Sequence, residues 1–217
     1  MPRTESVSYG AGAIEGLNDI RASLGSARVA VVRPRFLCSS GIDQRIRDIL
    51  GDSAVAFIDN ASQHVPLGHV LRIADELRAV SADCVVSVGG GTAIDAVKAA
   101  ILCISYGVRD GGDFFRLLER SDLAGMEKAI RHAAIPTTLS GAEHTALAGV
   151  TIEETREKVV LLIPALAPDA VILAPQVTTD TPGQLWASSG IRAVDHAVEG
   201  MLSGKRMPFM DALARHS

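Results

Sequence analysis

Apolar residues along this chain arrive in short unbroken runs, separated by segments in which they recur every three or four positions. The runs at residues 27–32 (ARVAVV), 53–58 (SAVAFI), 83–88 (DCVVSV) and 132–136 (HAAIP) have the length and β-branched content of strands buried on both faces. Residues 40–50 and 67–80 carry the helical repeat between them. Alternating strands and helices predict an α/β protein with a parallel sheet covered on both faces. The pattern changes after residue 140. Residues 145–163 (TALAGVTIEETREKVVLLI) read as strand, polar turn and strand, a hairpin, and residues 169–175 (DAVILAP) as one more strand. From Thr181 onward the chain reads as helical, with Thr181 suited to cap and Pro182 to the first helical position. A further helix opens at PFMDALARHS, ten residues before the last residue. The expectation is the first layer of a helical domain whose remainder lies outside this chain.

Composition narrows the class. The 217 residues are 47% hydrophobic but only 4% aromatic, which suits an α/β fold better than an all-β one. Net charge is −4 and no polybasic run occurs, which argues against nucleic acid as a partner. Mean hydropathy is +0.24. The most apolar stretch, residues 159–175, carries three prolines and Asp169, so it reads as buried strands and not as a membrane helix. The N-terminal MPRTESVSYG lacks the apolar segment of a signal peptide, and the expected compartment is the cytoplasm. Cys38, Cys84 and Cys103 are spaced like neither a disulfide framework nor a zinc site.

The sharpest chemical signal is VVSVGGGTAIDAVKAA, residues 85–100. A buried strand runs into Gly89, Gly90 and Gly91, and a helix is expected to start at Thr92. Glycines let backbone approach a ligand, and a helix N-terminus offers unpaired N–H groups to a phosphate. Asp95 is open to two readings: partner of Thr92 in a T-x-x-D capping pair, or contact to substrate or cofactor. Lys98, two turns in, reads as a solvated helix residue. A second polar loop, IPTTLSGAEHT at residues 135–145, follows another strand, where open α/β sheets bind ligands. Residues 191–200, IRAVDHAVEG, place Arg192, His196 and Glu199 on one helix face and Ile191, Val194, Val198 and Met201 on an opposite, core-facing stripe.

These stretches together resemble the iron-containing (group III) alcohol dehydrogenases. GGGT with Asp95 and Lys98 is similar to that family's GGGSxxDxxK, IPTT with SGAEHT to IPTTxGTGSExT, and SGIRAVDHAVEG to GxDAxxHxxE; VILAP resembles the VIxDP strand between them. The resemblance implies the dehydroquinate synthase-like fold: a Rossmann-like dinucleotide-binding domain over residues 1–178, then the beginning of an all-helical domain over 179–217. It implies that Gly89, Gly90, Gly91 and Thr92 hold a pyrophosphate, that Thr137, Thr138 and Thr145 contact NAD or NADP, and that Lys158 lies nearby. A small-molecule substrate and, for a full-length form, a homodimer are implied as well.

The chain departs from the family at two places. The family holds its metal with an aspartate and a histidine one helical turn apart, plus two later histidines. His196 matches the first histidine, but Arg192 stands where the aspartate would be, and the later histidines would fall beyond Ser217. A guanidinium has no lone pair to donate, so a divalent metal is not expected, with His196 the one ligand if a metal is bound. The maleylacetate reductase branch carries asparagine at that position and is regarded as metal-independent; IPTTLSGAE and AVILAP look closer to it. The second departure is VVRPRF, where Arg33 and Arg35 replace an aspartate that would bind the adenosine ribose, which favours tolerance of NADPH. The expected activity is NAD(P)H-dependent, maleylacetate reductase-like hydride transfer to a small unsaturated or keto acid, with Arg192 and His196 as the catalytic residues. Two alternatives stand beside it: a conventional alcohol or aldehyde dehydrogenase, and a non-catalytic cofactor-binding fragment. Arg192 has its own alternative, a local pair with Asp195 or Glu199, and His196 could be buried filler.

Overall fold

The computed structural model describes residues 4–59, 64–204 and 207–216. Its centre is a six-stranded, all-parallel sheet of β1 (Ser6–Tyr9), β2 (Val29–Arg33), β3 (Ala54–Asp59), β4 (Cys84–Gly89), β5 (Arg131–Pro136) and β8 (Ala170–Leu173). The spatial order is β1-β8-β5-β4-β2-β3. All the sheet strands expected from the apolar runs are present. β1 is an addition: a four-residue edge strand whose polar residues alternate with Val7 and Tyr9, too short and too mixed to stand out. The expected hairpin is β6 (Leu147–Thr151) with β7 (Lys158–Leu162), antiparallel and separate from the main sheet.

Helices α1 (Leu17–Ser23) and α2 (Gly41–Leu50) cover one face of the sheet; α3 (Leu67–Ala79), α4 (Gly91–Ser105) and α5 (Gly111–Leu118) lie on the other. Alternation along each strand sorts the core. Val29 and Val31 of β2 enter the α1–α2 cluster, while Ala30 and Val32 enter the α3–α4 cluster. α4 is buried on nearly every side because Ala96, Ala99 and Ala100 let its neighbours come close. α5 had a local signal in DGGD: Asp110 caps it, accepting from the Asp113 N–H at 2.8 Å.

The same alternation corrects the expectation for Arg33. As the residue after Val32 on β2, it faces α2, is buried, and ion-pairs with Asp43 of α2 and, at 2.5 Å, with Asp59 at the end of β3. It sits in a core ion pair, outside the lining of the cleft described below. The two helices after residue 180 also differ from expectation. α6 spans Gly183–Leu202 and α7 Pro208–His216. Pro182, not Thr181, is the residue before the first turn of α6, and the Thr181 hydroxyl instead donates to the Thr137 carbonyl at 2.9 Å. The stripe expected to face a core is exposed, with Ile191 at 71% and Val194 at 56%. α7 packs against α6, and Met201, the last residue of the stripe, is half-buried. No described helix is long and apolar enough to cross a membrane.

Removing one member of a buried ion pair strands its partner, at a cost of about 3–5 kcal/mol. Arg47 also reaches Asp43, at 2.8 Å, so Arg33→Ala is expected at the low end, about 3 kcal/mol in urea denaturation. A change below about 1 kcal/mol would mean that the pair is not structural.

Candidate active site

Strand order places the site. β2 continues through α2 to β3 on one side, whereas β4 continues through α4 to β5 on the other. The loops after β2 and β4 therefore diverge, and a crevice opens at this switch point. A cleft of about 930 Å³ lies there. Its walls are Pro34, Arg35 and Phe36 after β2, Gly90, Gly91, Thr92 and Ala93 after β4, Thr138 and Ser140 after β5, and the α6 residues Gln184, Leu185, Ser188, Ser189 and Arg192.

The glycine turn is built around close approach. Gly89 has φ +151°, in the region that favours glycine, and a Cβ there would stand 2.8 Å from the Ala93 Cβ. At Gly90 a Cβ would meet Thr138 Oγ1 at 2.9 Å and its Cγ2 at 3.0 Å. Gly90 precedes the first turn of α4, one residue earlier than expected, and no side chain caps it. The first N–H groups of α4 thus lack an intrahelical partner, and the positive end of the helix faces the cleft. Asp95 does not cap: its Oδ2 accepts from the Gly149 N–H at 3.2 Å. Burial holds its carboxyl above the usual carboxylate range.

The second loop supplies the facing wall. The Thr137 N–H donates to the Gly89 carbonyl at 2.9 Å, locking the two strand ends together. Thr137 Oγ1 is buried with no hydrogen-bond partner. Two bonds set α6 against this loop: Thr181 Oγ1 to the Thr137 carbonyl, and the Leu139 N–H to Ser189 Oγ at 3.2 Å. They put Arg192 on the cleft wall. Its exposed guanidinium pairs with Asp195 at 2.5 Å, the local pair that the sequence left open, while Glu199 is not involved. His196 lies one turn further along, exposed and outside the cleft lining, which excludes a buried-filler role.

Three further residues gather behind the cleft. Lys98 is fully buried, contrary to the expectation of a solvated helix residue. Its ammonium donates to the carbonyls of Ala142 and Leu147 and to Thr145 Oγ1. Burial pushes the Lys98 pKa down to about 8. Lys158 on β7 lies across Gly149, close enough to act electrostatically on Asp95. Thr145 thus ties the loop to Lys98, Lys158 belongs to the hairpin, and neither lines the cleft. His64, which does line the cleft, was missed; its carbonyl accepts from Thr151 Oγ1 at 2.7 Å, a tertiary placement with no local signature.

The lining contains two arginines, a helix N-terminus and, among the described residues, no carboxylate. An open parallel sheet with such an anion cradle at its switch point defines a Rossmann-like α/β protein. The model of the family described as iron-containing alcohol dehydrogenase matches residues 4–175, and the chain belongs to that family. It is 30% identical over 220 residues to a maleylacetate reductase of Sphingobium indicum, an alignment covering 100% of this chain and 53% of that protein. To a dehydrogenase of Alternaria alternata it is 32% identical over 190 residues, covering 86% of this chain and 50% of the other. Among solved structures, a sulfoacetaldehyde reductase from Bifidobacterium kashiwanohense in complex with NAD+ superposes with a TM-score of 0.86 at 26% identity, covering 99% of this chain and 56% of that one. A maleylacetate reductase from Agrobacterium tumefaciens gives 0.76 at 26% identity, with 99% and 53% covered. The chain spans about half the length of the curated relatives it matches.

Gly90→Val is expected to leave a folded chain by circular dichroism while NADH binding falls below detection in calorimetry, because the new side chain fills the space between the loops. Unaltered binding would take the turn out of the site.

Proposed function

We propose that the cleft binds NAD(P)H and that the protein is an oxidoreductase of the maleylacetate reductase-like kind, passing a hydride to a small unsaturated or keto acid. The observation that carries this reading is the cationic, carboxylate-free lining of a glycine-walled cleft. The pyrophosphate would rest in the cleft on the first N–H groups of α4, where Gly90 and Gly91 expose backbone in the lining. The nicotinamide, when bound, supplies the hydride. On this reading residues 1–178 form the dinucleotide-binding domain and 179–217 begin a helical one.

Arg192 is assigned the substrate end. A guanidinium presents a planar fork of donors that matches a carboxylate or a developing oxyanion. Its pairing with Asp195 is exposed, and exposed pairs contribute about 0–1 kcal/mol, so a substrate carboxylate can compete for it. His196, one turn along, is assigned delivery of a proton to the reduced substrate. The donor set does not suit a dication. Arg192 stands where the family's pattern has a ligand aspartate, and a guanidinium has no lone pair to donate. No step is routed through a metal.

The test is NADH and NADPH oxidation with maleylacetate and with simple aldehydes, with and without a chelator, on this chain and on any longer form. Turnover of maleylacetate that ignores the chelator is expected, and Arg192→Ala should lower it by about 10²-fold, the typical cost of losing one transition-state donor. Activity lost to the chelator and restored by iron or zinc would defeat the metal-free reading. Full activity in Arg192→Ala would leave Arg192 only its local pair.

A further inference from the structure

Lys98 is the charged group that the cleft leaves unexplained. It stands two turns into α4, has no exposed surface and does not line the cleft. Its Nζ lies 2.7 Å from the Ala142 carbonyl oxygen, 2.8 Å from that of Leu147 and 3.2 Å from Thr145 Oγ1, with Asp95 Oδ1 at 3.7 Å. Two carbonyls, a hydroxyl and a carboxylate around one positive charge form an oxygen cage of the sort that holds a small hard cation. Here the cation is covalently attached to the helix.

We infer that Lys98 is a positioning residue whose ammonium acts as a tethered cation, gathering the 140–147 loop onto α4 and so holding Thr138 and Ser140 against the glycine turn in the cleft wall. The topology makes this connection direct. α4 carries the near wall at its N-terminus. The far wall, Thr138 and Ser140, continues straight into Ala142, Thr145 and Leu147, the residues that Lys98 binds. One side chain thus bridges the two walls from behind. The two are in close contact: a Cβ on Gly91 would stand 3.1 Å from Ser140 Oγ, so a loop released from Lys98 would shift the wall beside the first N–H groups of α4. An apolar residue at this position would remove the charged donor that ties the Ala142 and Leu147 carbonyls to α4, leaving them the contacts that Thr145 makes within the loop. This role rests on the reading of the cleft as a dinucleotide site, and two separate readouts keep the two ideas apart.

Lys98→Ala, folded by circular dichroism, is compared with the parent by NADH fluorescence titration and by amide hydrogen exchange over residues 138–147. The expected result is NADH binding weaker by about tenfold or more, in line with loss of charge-assisted hydrogen bonds, together with faster exchange in the loop. Propylammonium, which replaces the missing atoms and charge, should restore both, whereas tetramethylammonium, too bulky for the cage, should restore neither. Rescue by a cation of the right size is not expected of a lysine that merely fills space. Parent-like affinity and exchange in Lys98→Ala, or losses that propylammonium leaves unchanged, would overturn the inference. If Lys98→Ala does not fold, Thr145→Val removes one wall of the cage, and loop exchange that stays at the parent's rate would count against it equally. A parent that binds no NADH defeats the dinucleotide reading, while the exchange comparison still decides the role of Lys98.

Discussion

Between the ends of β4 and β5 there is room for backbone and nothing more. The Thr137 N–H is bonded to the Gly89 carbonyl, the Ala93 side chain closes over Gly89, and Thr138 stands where a Cβ on Gly90 would be. Three glycines in a row satisfy this crowding, and they do so at the start of α4, where unpaired N–H groups gather. The cluster of unpaired N–H groups facing the cleft is thus a consequence of packing two parallel strands tightly and turning one of them directly into a helix. Adding a side chain would disturb the packing and the cradle together.

The rest of the molecule serves that junction. The sheet order reverses between β2 and β4, so the loops after them part and leave the cleft open. α4 is held by small residues against α3 and the β6–β7 hairpin, and a buried lysine fastens the facing loop to it. α6 is docked by hydroxyl groups, Thr181 and Ser189, and not by apolar packing; none of its residues is buried. The wall that carries Arg192 is therefore the most weakly attached part of the site.

How much of this was legible in the sequence depended on whether the cause was local. Strands β2, β4 and β5 announced themselves because burial on both faces demands unbroken apolar runs, β3 because its half-buried edge run is apolar up to Asp59, and the hairpin because its polar turn splits two such runs. The glycine turn and the IPTT loop were legible as chemistry at strand ends. β1 was not, since an edge strand of SVSY needs only one buried face. Arg33 and Lys98 were misread for a shared reason. A charged residue in a sequence suggests solvent, and only tertiary structure supplies Asp43 and Asp59 for the one and a ring of oxygens for the other. The apolar stripe of α6 was correctly read as amphipathic, but periodicity cannot say whether a partner is present. His196 followed from the family's pattern as a site residue, and the structure places it one turn past the cleft lining.

The central claim is that the junction of β4, α4 and the loop after β5 is a dinucleotide cradle. A crystal structure of the chain grown with saturating NADH tests it most directly. The account predicts the pyrophosphate in the cleft, within hydrogen-bond distance of the Gly91 and Thr92 N–H groups. A dinucleotide seated elsewhere, or an empty cleft at saturating NADH, would contradict it.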